Sequence, residues 1–266
     1  MLPYVHLINR DVPVYGLLMA LGGLLGWLLC QHRAQRFAPQ LPRESVTRFY
    51  LLFLAGALIG AKVYSLILVW PSLMENRTLL WTNPPLFLQM YIYGGMVFYG
   101  GLIGGILCAA GLLLSGRIRF PQLEVVYLPV IPLVHGIGRI GCFCAGCCYG
   151  IPTDGFWGVA YPLGSPAPAG IPLVPIQLFE SAGDFLLFVL LCLSVYRRPG
   201  SRLAVYLLGY GCLRYATECF RGDAARGLLG PLSVAQWISI LCIVSGVTIV
   251  VTLCLQALKK RRFQMG

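Results

Sequence analysis

The chain has 266 residues, of which 58% are hydrophobic and 11% are charged, and its formal net charge is +11. Soluble globular domains carry about 25% charged residues, so this composition excludes an ordinary soluble domain and indicates an integral membrane protein. The basic residues concentrate in short segments between apolar stretches. This placement favours a role in membrane topology and lipid-headgroup attraction, and no nucleic acid is expected as a partner.

Seven apolar stretches reach or approach the ~20 residues needed to cross a bilayer. They predict an all-α integral membrane protein, a seven-transmembrane-helix bundle that forms a single membrane domain over residues 1–266, with interfacial segments on the outer face. We find no basic n-region and no cleavage site near the first stretch, which is therefore expected to remain a spanning helix. In chain order the predicted spans are 12–30, 47–70, 94–114, 124–141, 175–196, 202–219 and 234–257.

The basic residues predict the orientation of these spans. Thirteen of the 20 Lys and Arg residues fall in segments on one side of the predicted bundle. The positive-inside rule assigns that side to the cytoplasm, with the N-terminus out and the C-terminus in. The longer segments 71–93 and 142–174 are then expected on the outer side. The thirteen residues are Arg33, Arg36, Arg43, Arg48, Arg117, Arg119, Arg197, Arg198, Arg202, Lys259, Lys260, Arg261 and Arg262.

Ionisable residues inside the predicted spans are candidates for function. A charge at the bilayer centre costs about 2.5–3.5 kcal/mol even on the lenient insertion scale, so such residues usually face the bundle interior and have partners. Structural ion pairing between helices is the alternative to a functional role. The six residues are Lys62, Arg139, Glu180, Asp184, Arg214 and Glu218.

The stretch "YGCLRYATECFRGD", residues 210–223, carries four polar residues at helical spacing. On a helix, Tyr210, Arg214, Glu218 and Arg221 would share one face, with Glu218 one turn after Arg214. Two arginines on this face, together with Arg139 from another span, could clamp a phosphate.

Two glycine-rich stretches accompany these charges. In "HGIGRIGCF", residues 135–143, His135 lies one helical turn before Arg139, and the intervening glycines would let a helix or a lipid headgroup approach closely. "YGGMVFYGGLIGG", residues 93–105, has the same character, and either helix packing or substrate approach would explain it.

Four cysteines follow Arg139 in the pattern C-x-C-x-x-C-C. Four interpretations stay open for Cys142, Cys144, Cys147 and Cys148: soft packing in a tight turn, a disulfide on an oxidising outer face, a reactive thiolate beside Arg139, and a metal site. Cys147 is the candidate for thiolate chemistry.

Five segments in order resemble motifs of the prolipoprotein diacylglyceryl transferase family. They are "VYGLLMALGGLLG", "YIYGGMVFYGGLIGG", "GRIGCFCAGCCYGIPT", "VPIQLFES" and "YGCLRYATECFRGD". The resemblance implies transfer of a diacylglyceryl group from phosphatidylglycerol to the lipobox cysteine of preprolipoproteins, in the bacterial cytoplasmic (inner) membrane as a multi-pass protein. The implied partners are phosphatidylglycerol, the preprolipoprotein signal peptide and membrane lipid, with no cofactor and no metal.

The resemblance also implies residue roles. Arg139 and Arg214 correspond to the family's two headgroup-clamping arginines. The remaining matches are expected to bind substrate and are Tyr15, Gly146, Gly150, Gln177, Glu180, Tyr210, Glu218 and Arg221.

Five positions depart from the family motifs. Tyr99 stands in place of the family's histidine and is a poor base at its ordinary pKa of about 10, so His135 is the alternative proton acceptor. The other departures are Cys142 for asparagine, Cys147 for glutamate, Val174 for histidine and Ile151 for arginine. A different acceptor or donor headgroup, or a non-catalytic lipid- or partner-binding membrane protein, therefore stays open as an alternative function.

Overall fold

The computed structural model describes residues 4–7, 10–93, 95–193, 198–223 and 227–265. Arg197 and Arg226, residue 94 and the end of the fifth predicted span (194–196) lie outside these ranges. Among the described residues, seven helices have 16 residues or more, and each overlaps one of the seven predicted apolar stretches. They are α1 (Val14–Phe37), α2 (Arg43–Leu68), α3 (Phe98–Leu114), α4 (Val130–Ala145), α5 (Ile176–Cys192), α6 (Ser201–Glu218) and α7 (Val234–Met265).

Four stretches in the described part of the chain are long and apolar enough to cross a membrane. They are Val14–Phe37, Arg43–Leu68, Phe120–Ala145 and Val234–Arg261. The helix α3 is apolar but shorter, and α6 carries Arg202, Arg214 and Glu218 along its 18 residues. The protein is therefore a mostly helical membrane protein.

The chain forms two compact units. The first contains Met1–Ala38 and Glu124–Gly266, and the second contains Pro39–Leu123. In the first unit, α4 packs against α1 and α5, and α6 packs against α5 and α7. In the second unit, α2 packs against α3.

The stretch that ends in α4 is the most buried of the four candidate spans. Of the 18 residues that define the apolar span within Phe120–Ala145, 67% are buried within the protein, against 11–17% for the other three candidate spans. The physical reason lies in its sequence, because an arginine and a histidine among glycines are unfavourable against lipid and let neighbouring helices come close.

Prolines and a buried carboxylate set several helix ends. Proline immediately precedes α1, α2, α4 and α5, where its missing N–H and fixed φ do no harm.

The first turn of α6 is capped by a residue from elsewhere in the chain. The Glu124 carboxylate, which is buried, accepts hydrogen bonds from the N–H groups of Gly200 (2.8 Å) and Leu203 (2.9 Å). A negative charge at this position is also attracted to the positive, N-terminal end of the helix dipole.

Several basic residues expected in connecting segments lie in helices instead. Arg33 belongs to α1, is buried, and donates through Nε to the Val125 carbonyl at 2.5 Å. Lys259 and Lys260 continue α7. The apolar stretch defines only the part of a helix that suits lipid, and these helices extend beyond it.

Short strands and helices fill the connections. Three two-stranded antiparallel sheets pair β1 with β2, β3 with β4 and β5 with β6. The strands are β1 (Tyr4–Leu7), β2 (Arg10–Pro13), β3 (Val159–Ala160), β4 (Pro172–Leu173), β5 (Leu228–Leu229) and β6 (Leu232–Ser233). The short helices are Trp70–Glu75, Leu79–Thr82, Pro84–Phe87 and Phe120–Gln122, and single π-helical stretches cover Leu88–Tyr93 and Leu123–Tyr127.

Glycines bring α2 and α3 into backbone contact in the second unit. A Cβ atom added at Gly104 would overlap the carbonyl oxygen of Gly56, and one added at Gly100 would overlap that of Gly60. Both helices present their glycines four residues apart, which is the spacing of small-residue packing in membranes. The packing interpretation of residues 93–105 is thus confirmed for these two glycines of α3.

Candidate functional site: a charged cluster on α4, α5 and α6

Two arginines from different helices meet on one carboxylate. Arg139 of α4 donates through Nη2 to Oε2 of Glu180 on α5. Arg214 of α6 places Nη1 3.5 Å from the same Oε2 atom. Three helices thus bring their charged side chains to one point, which the ionisable residues in the predicted spans had indicated.

A second carboxylate holds Arg214 from its own helix. Nη2 of Arg214 lies 2.6 Å from Oε2 of Glu218, one turn further along α6. Glu180 and Glu218 are each only 1% exposed, so these ion pairs are desolvated. Two guanidinium groups against two carboxylates leave this part of the site close to neutral.

His135 and Asp184 form a separate pair beside the arginines. Nδ1 of His135 lies 2.7 Å from Oδ2 of Asp184, and its Nε2 lies 4.0 Å from Oε1 of Glu180. The ring of Tyr210 packs edge-on against the imidazole, with centroids 5.7 Å apart. Asp184 was identified from the sequence only as an in-span charge and was given no role in the site, although its position four residues after Glu180 places both on one helix face.

Arg221 does not share the helix face of the other three polar residues of its stretch. Tyr210, Arg214 and Glu218 belong to α6, but the helix ends at Glu218, so the predicted four-residue face is wrong for Arg221. Arg221 instead binds Asp223 through two hydrogen bonds of 2.8 and 2.5 Å, and its backbone pairs with Gly150.

Gly146, Gly150 and Gln177 shape the turn that follows α4. Gly146 ends α4 with a left-handed φ of +73°, which favours glycine. The N–H of Gly150 donates to the Val174 carbonyl at 3.1 Å. Gln177, fully buried, donates through Nε2 to the Cys147 carbonyl at 2.7 Å. These contacts fix the path of the turn and account for three of the predicted substrate-binding positions structurally.

Tyr15 lies at the start of α1 and faces α4. A Cβ atom added at Gly141 would come 2.9 Å from Cδ2 of the Tyr15 ring. The glycine therefore gives the ring its place beside the last turns of α4, two residues from Arg139. Tyr15 remains 42% exposed, so the ring is accessible as well as packed.

The chain is similar to known proteins over most of its length. The family model described as "Prolipoprotein diacylglyceryl transferase" matches residues 3–252. The chain belongs to this family. A relative from Clostridium perfringens, named phosphatidylglycerol--prolipoprotein diacylglyceryl transferase 2, is 32% identical over 88% of both chains. Two further relatives are named phosphatidylglycerol--prolipoprotein diacylglyceryl transferase. The one from Clostridium tetani is 31% identical over 88% of this chain and 90% of its own length. The one from Pseudomonas putida is 32% identical over 89% of this chain and 87% of its own length.

The positions expected to depart from the motifs of the prolipoprotein diacylglyceryl transferase family lie in two parts of the structure. Tyr99, expected from the motif resemblance to replace a histidine, lies in the first turn of α3 in the second unit and is partly buried. One backbone hydrogen bond joins Val174 and Ile151: the N–H of Val174 donates to the Ile151 carbonyl at 3.0 Å. Their side chains therefore sit on the connection that holds the turn after α4.

Three of the four cysteines that follow Arg139 form a cluster. The Sγ atoms of Cys142, Cys147 and Cys148 all lie within 4.8 Å of one another. All four cysteines are free thiols in the structure, and Cys144 is not among the group brought together within the described residues. Hydrogen bonds from Cys142 and Cys147, together with the nearby charges of Arg139 and Arg221, lower the pKa of the Cys148 thiol.

Proposed function

We propose that this protein transfers a diacylglyceryl group from phosphatidylglycerol to the lipobox cysteine of preprolipoproteins. The observation that carries the proposal is the meeting of Arg139 and Arg214 on one oxygen of Glu180, from three different helices. The names of relatives that match about nine tenths of the chain support it.

The arginines suit the headgroup chemistry of this reaction. A guanidinium has five N–H donors in a fixed plane and can bind a phosphodiester through two of them. Nε of Arg139 is buried and has no hydrogen-bond partner among the described residues. This donor, held in place by the Glu180 contact of the same guanidinium, is available to a phosphate oxygen. Negative charge grows on the departing glycerol phosphate, and fixed donors of this kind stabilise it.

Because the arginines and carboxylates of the charged cluster nearly cancel, the positions of the N–H donors matter more for headgroup recognition than the net charge of the site. Glu180 and Glu218 already compensate the two guanidinium groups. The donor headgroup is therefore recognised by directed N–H groups that do not need to reorganise during the reaction. Tyr15, Tyr210 and Arg221 surround this position on α1, on α6 and after α6, and we assign them to headgroup and acyl-chain contacts.

His135 is the better of the two proposed proton acceptors. Its Nδ1 is engaged by Asp184, which orients the ring and leaves Nε2 on the side of Glu180. Tyr99 has a phenol, whose ordinary pKa of about 10 makes it a weak base at neutral pH. Cys147, from the cysteine cluster, is the third proposed participant in the thiol chemistry.

We infer a topology of seven spans with the N-terminus outside and the C-terminus in the cytoplasm. The seven long helices and the excess of basic residues on one side support it. The reaction then takes place at the outer leaflet of the bacterial cytoplasmic membrane, where a preprolipoprotein signal peptide presents its cysteine. Cysteine accessibility labelling of intact cells at Arg10→Cys and Gln264→Cys, in a background lacking reactive thiols, would test this orientation.

A transfer assay tests the proposed function directly. The purified protein receives labelled phosphatidylglycerol and a lipobox peptide, and we expect a labelled thioether product that forms at least ~100-fold more slowly in Arg139→Ala. Arg117→Ala is the matched control, because this exposed arginine lies at a distance along the chain from the clamp and should transfer normally. Headgroup binding without transfer by the unaltered protein would instead identify a lipid-binding family member.

A further inference from the structure

The cysteine cluster has the composition of an open metal site. The thiols of Cys142, Cys147 and Cys148 lie within 4.8 Å of one another and are all half-buried. In tetrahedral coordination with Zn–S bonds of about 2.3 Å, bound sulfurs lie about 3.8 Å apart, so side-chain shifts of about 1 Å would close the site. Thiolates are the preferred ligands of zinc among the side chains available here.

The backbone of the turn after α4 brings these thiols together. The N–H of Cys147 donates to the carbonyl of Cys142 at 3.1 Å and closes the end of the helix, with Gly146 in a left-handed conformation between them. Cys148 follows with a left-handed φ of +58°, the one non-glycine residue with positive φ in the described chain. Left-handed backbone at a cysteine is unusual and is typical of functional sites.

Two arginines act electrostatically on the cluster. The guanidinium of Arg139 interacts with the Cys142 and Cys148 thiols. The guanidinium of Arg221 interacts with Cys148. Three thiolates with Zn²⁺ would carry a net charge of −1, beside these positive groups. The carbonyl of Cys147 is held by Gln177, an outer contact of the kind that keeps metal ligands in place.

Three ligands distinguish this cluster from a structural zinc site. Structural sites are closed by four protein ligands, whereas catalytic sites keep three and leave the fourth position to water or substrate. Within the described residues the cluster contains three potential ligands and no fourth. The acceptor in the proposed function is itself a thiol, the ligand that matches such a site best.

We propose that Cys142, Cys147 and Cys148 bind Zn²⁺ and that the acceptor cysteine thiol occupies the fourth coordination position during transfer. The second part of this proposal rests on the proposed function. It gives the acceptor thiol an activating group in a family member that has Tyr99 in place of the family histidine.

The chemical step balances without any oxidant or reductant. The acceptor thiol displaces the zinc-bound water, and its proton passes through His135, the proposed proton acceptor, to solvent as its sulfur binds zinc. A sulfur lone pair then attacks the glyceryl carbon of the donor, and a C–S bond forms as the C–O bond to phosphate breaks. The bonding pair leaves with the glycerol phosphate, whose added negative charge matches the released proton. The thioether product is a weak neutral ligand, and water replaces it.

Cobalt substitution of the full chain in detergent tests the metal site. Co²⁺ bound by thiolates gives strong charge-transfer absorption, and tetrahedral geometry gives intense visible bands. We expect one Co²⁺ per chain with both features, displaced by one equivalent of Zn²⁺. Cys142→Ser, Cys147→Ser and Cys148→Ser should each weaken Zn²⁺ binding at least tenfold. Cys144→Ser, a neighbouring cysteine outside the cluster, is the matched control and should bind normally.

Three outcomes would overturn the metal site. They are absence of the thiolate–cobalt absorption, an equal loss in Cys144→Ser, and a disulfide between two of the three cysteines in protein isolated under alkylating conditions. Because the Ser variants could misfold, elution from a sizing column and the thermal midpoint are compared for all four. A folded Cys147→Ser that still binds Zn²⁺ with unchanged affinity also contradicts the assignment.

A peptide titration tests the fourth position. Adding a lipobox peptide to the cobalt-loaded protein should shift the visible bands, and a peptide with serine in place of cysteine should not. Equal spectra with both peptides would refute the coordination of the acceptor. Chelation should abolish transfer and Zn²⁺ should restore it; transfer that is unchanged after complete metal removal would refute the catalytic role.

The same measurements separate failure of the zinc site from failure of the proposed function. Arg214→Ala is expected to lose transfer while retaining cobalt absorption, because Arg214 pairs with Glu180 and Glu218 and is not one of the three proposed metal ligands. Zinc-loaded protein that binds metal as expected but transfers nothing would remove the proposed function and leave the metal site standing.

Discussion

The two units place polar and small residues inside membrane helices for opposite purposes. In the first unit, α4, α5 and α6 project charged side chains that contact one another, and Arg139, Glu180 and Arg214 meet at one oxygen atom. In the second unit, α2 and α3 remove side chains at Gly60 and Gly104 so that backbones touch. The contact in the first unit depends on the charges of the side chains and on where their polar atoms point. The contact in the second unit depends on the absence of side chains at the glycines.

Two glycine-rich sequence stretches that look alike therefore have different roles, one in helix packing and one beside the charged cluster. Both 93–105 and 135–143 are rich in glycine. Glycines of the first meet the backbone of another helix, whereas Gly136 and Gly141 of the second make room for side chains, among them the ring of Tyr15. We therefore expect substitutions in the charged cluster to reduce transfer, and substitutions in the glycine contact to reduce stability.

The largest expected effect is the loss of a clamp arginine. Arg139→Ala or Arg214→Ala should reduce kcat/KM by roughly 100- to 1,000-fold, the usual effect of removing one fixed donor to a developing oxyanion. Because both guanidinium groups act on one headgroup and share Glu180, the double variant should lose little more than either single variant. Transfer rates of the three variants check this, and strictly additive losses would contradict a shared site.

The next effect concerns the shared carboxylate. Glu180→Gln retains the shape of the side chain but removes the charge that orients both arginines. We expect transfer to fall by about 10- to 100-fold, in line with about 1.5–3 kcal/mol for a hydrogen bond to a charged group. Glu75→Gln is the control, because this carboxylate is exposed and belongs to the second unit. Equal losses of transfer in Glu75→Gln and Glu180→Gln would contradict the assignment of Glu180.

Stability should respond first at the glycine contact. Gly104→Ala forces a Cβ atom against the Gly56 carbonyl and should destabilise the protein by roughly 1–3 kcal/mol, as overpacking does. Gly105→Ala is matched to it, because a Cβ at the adjacent Gly105 meets nothing within 4 Å. Thermal midpoints in detergent compare the two variants. Equal midpoints would mean that the two glycines do not differ in packing.

The smallest effect is expected at the in-span charge of the second unit. Lys62 donates through Nζ to the Tyr91 carbonyl at 2.7 Å, a structural contact within that unit. Lys62→Met should lower stability by about 0.5–1.5 kcal/mol, the net value of one hydrogen bond, and should change kcat/KM less than twofold. A loss of transfer comparable with that of Arg139→Ala would place Lys62 in the functional site.

The sequence was sufficient for the helices and for the main members of the charged cluster. Lipid-facing helices need long apolar stretches, and a charge within one needs a partner, so Arg139, Glu180 and Arg214 were all identifiable from position alone. Their common oxygen atom was not, because it depends on how α4, α5 and α6 rotate about their axes.

Residues at the ends of helices were the least predictable. Arg221 continues the spacing of α6, yet the chain leaves the helix because the Ile151 N–H binds the Phe220 carbonyl at 2.9 Å, a contact from a distant segment. The grouping of three cysteines out of four has a similar origin. It depends on the left-handed backbone of Cys148, which no residue-type preference would assign to a cysteine.

The cap of α6 has a consequence for the clamp at its other end. Glu124 holds the first turn of α6 through Gly200 and Leu203, and Arg214 lies 14 residues after Gly200, close to four full turns and about 21 Å along the axis. A buried carboxylate that touches no reacting group therefore sets the rotational register of α6. Because α6 is continuous from this cap to Arg214, a change in the loop before Ser201 that breaks the Glu124 contacts would also alter how Arg214 meets its partners, so activity depends on a connection that contacts no substrate.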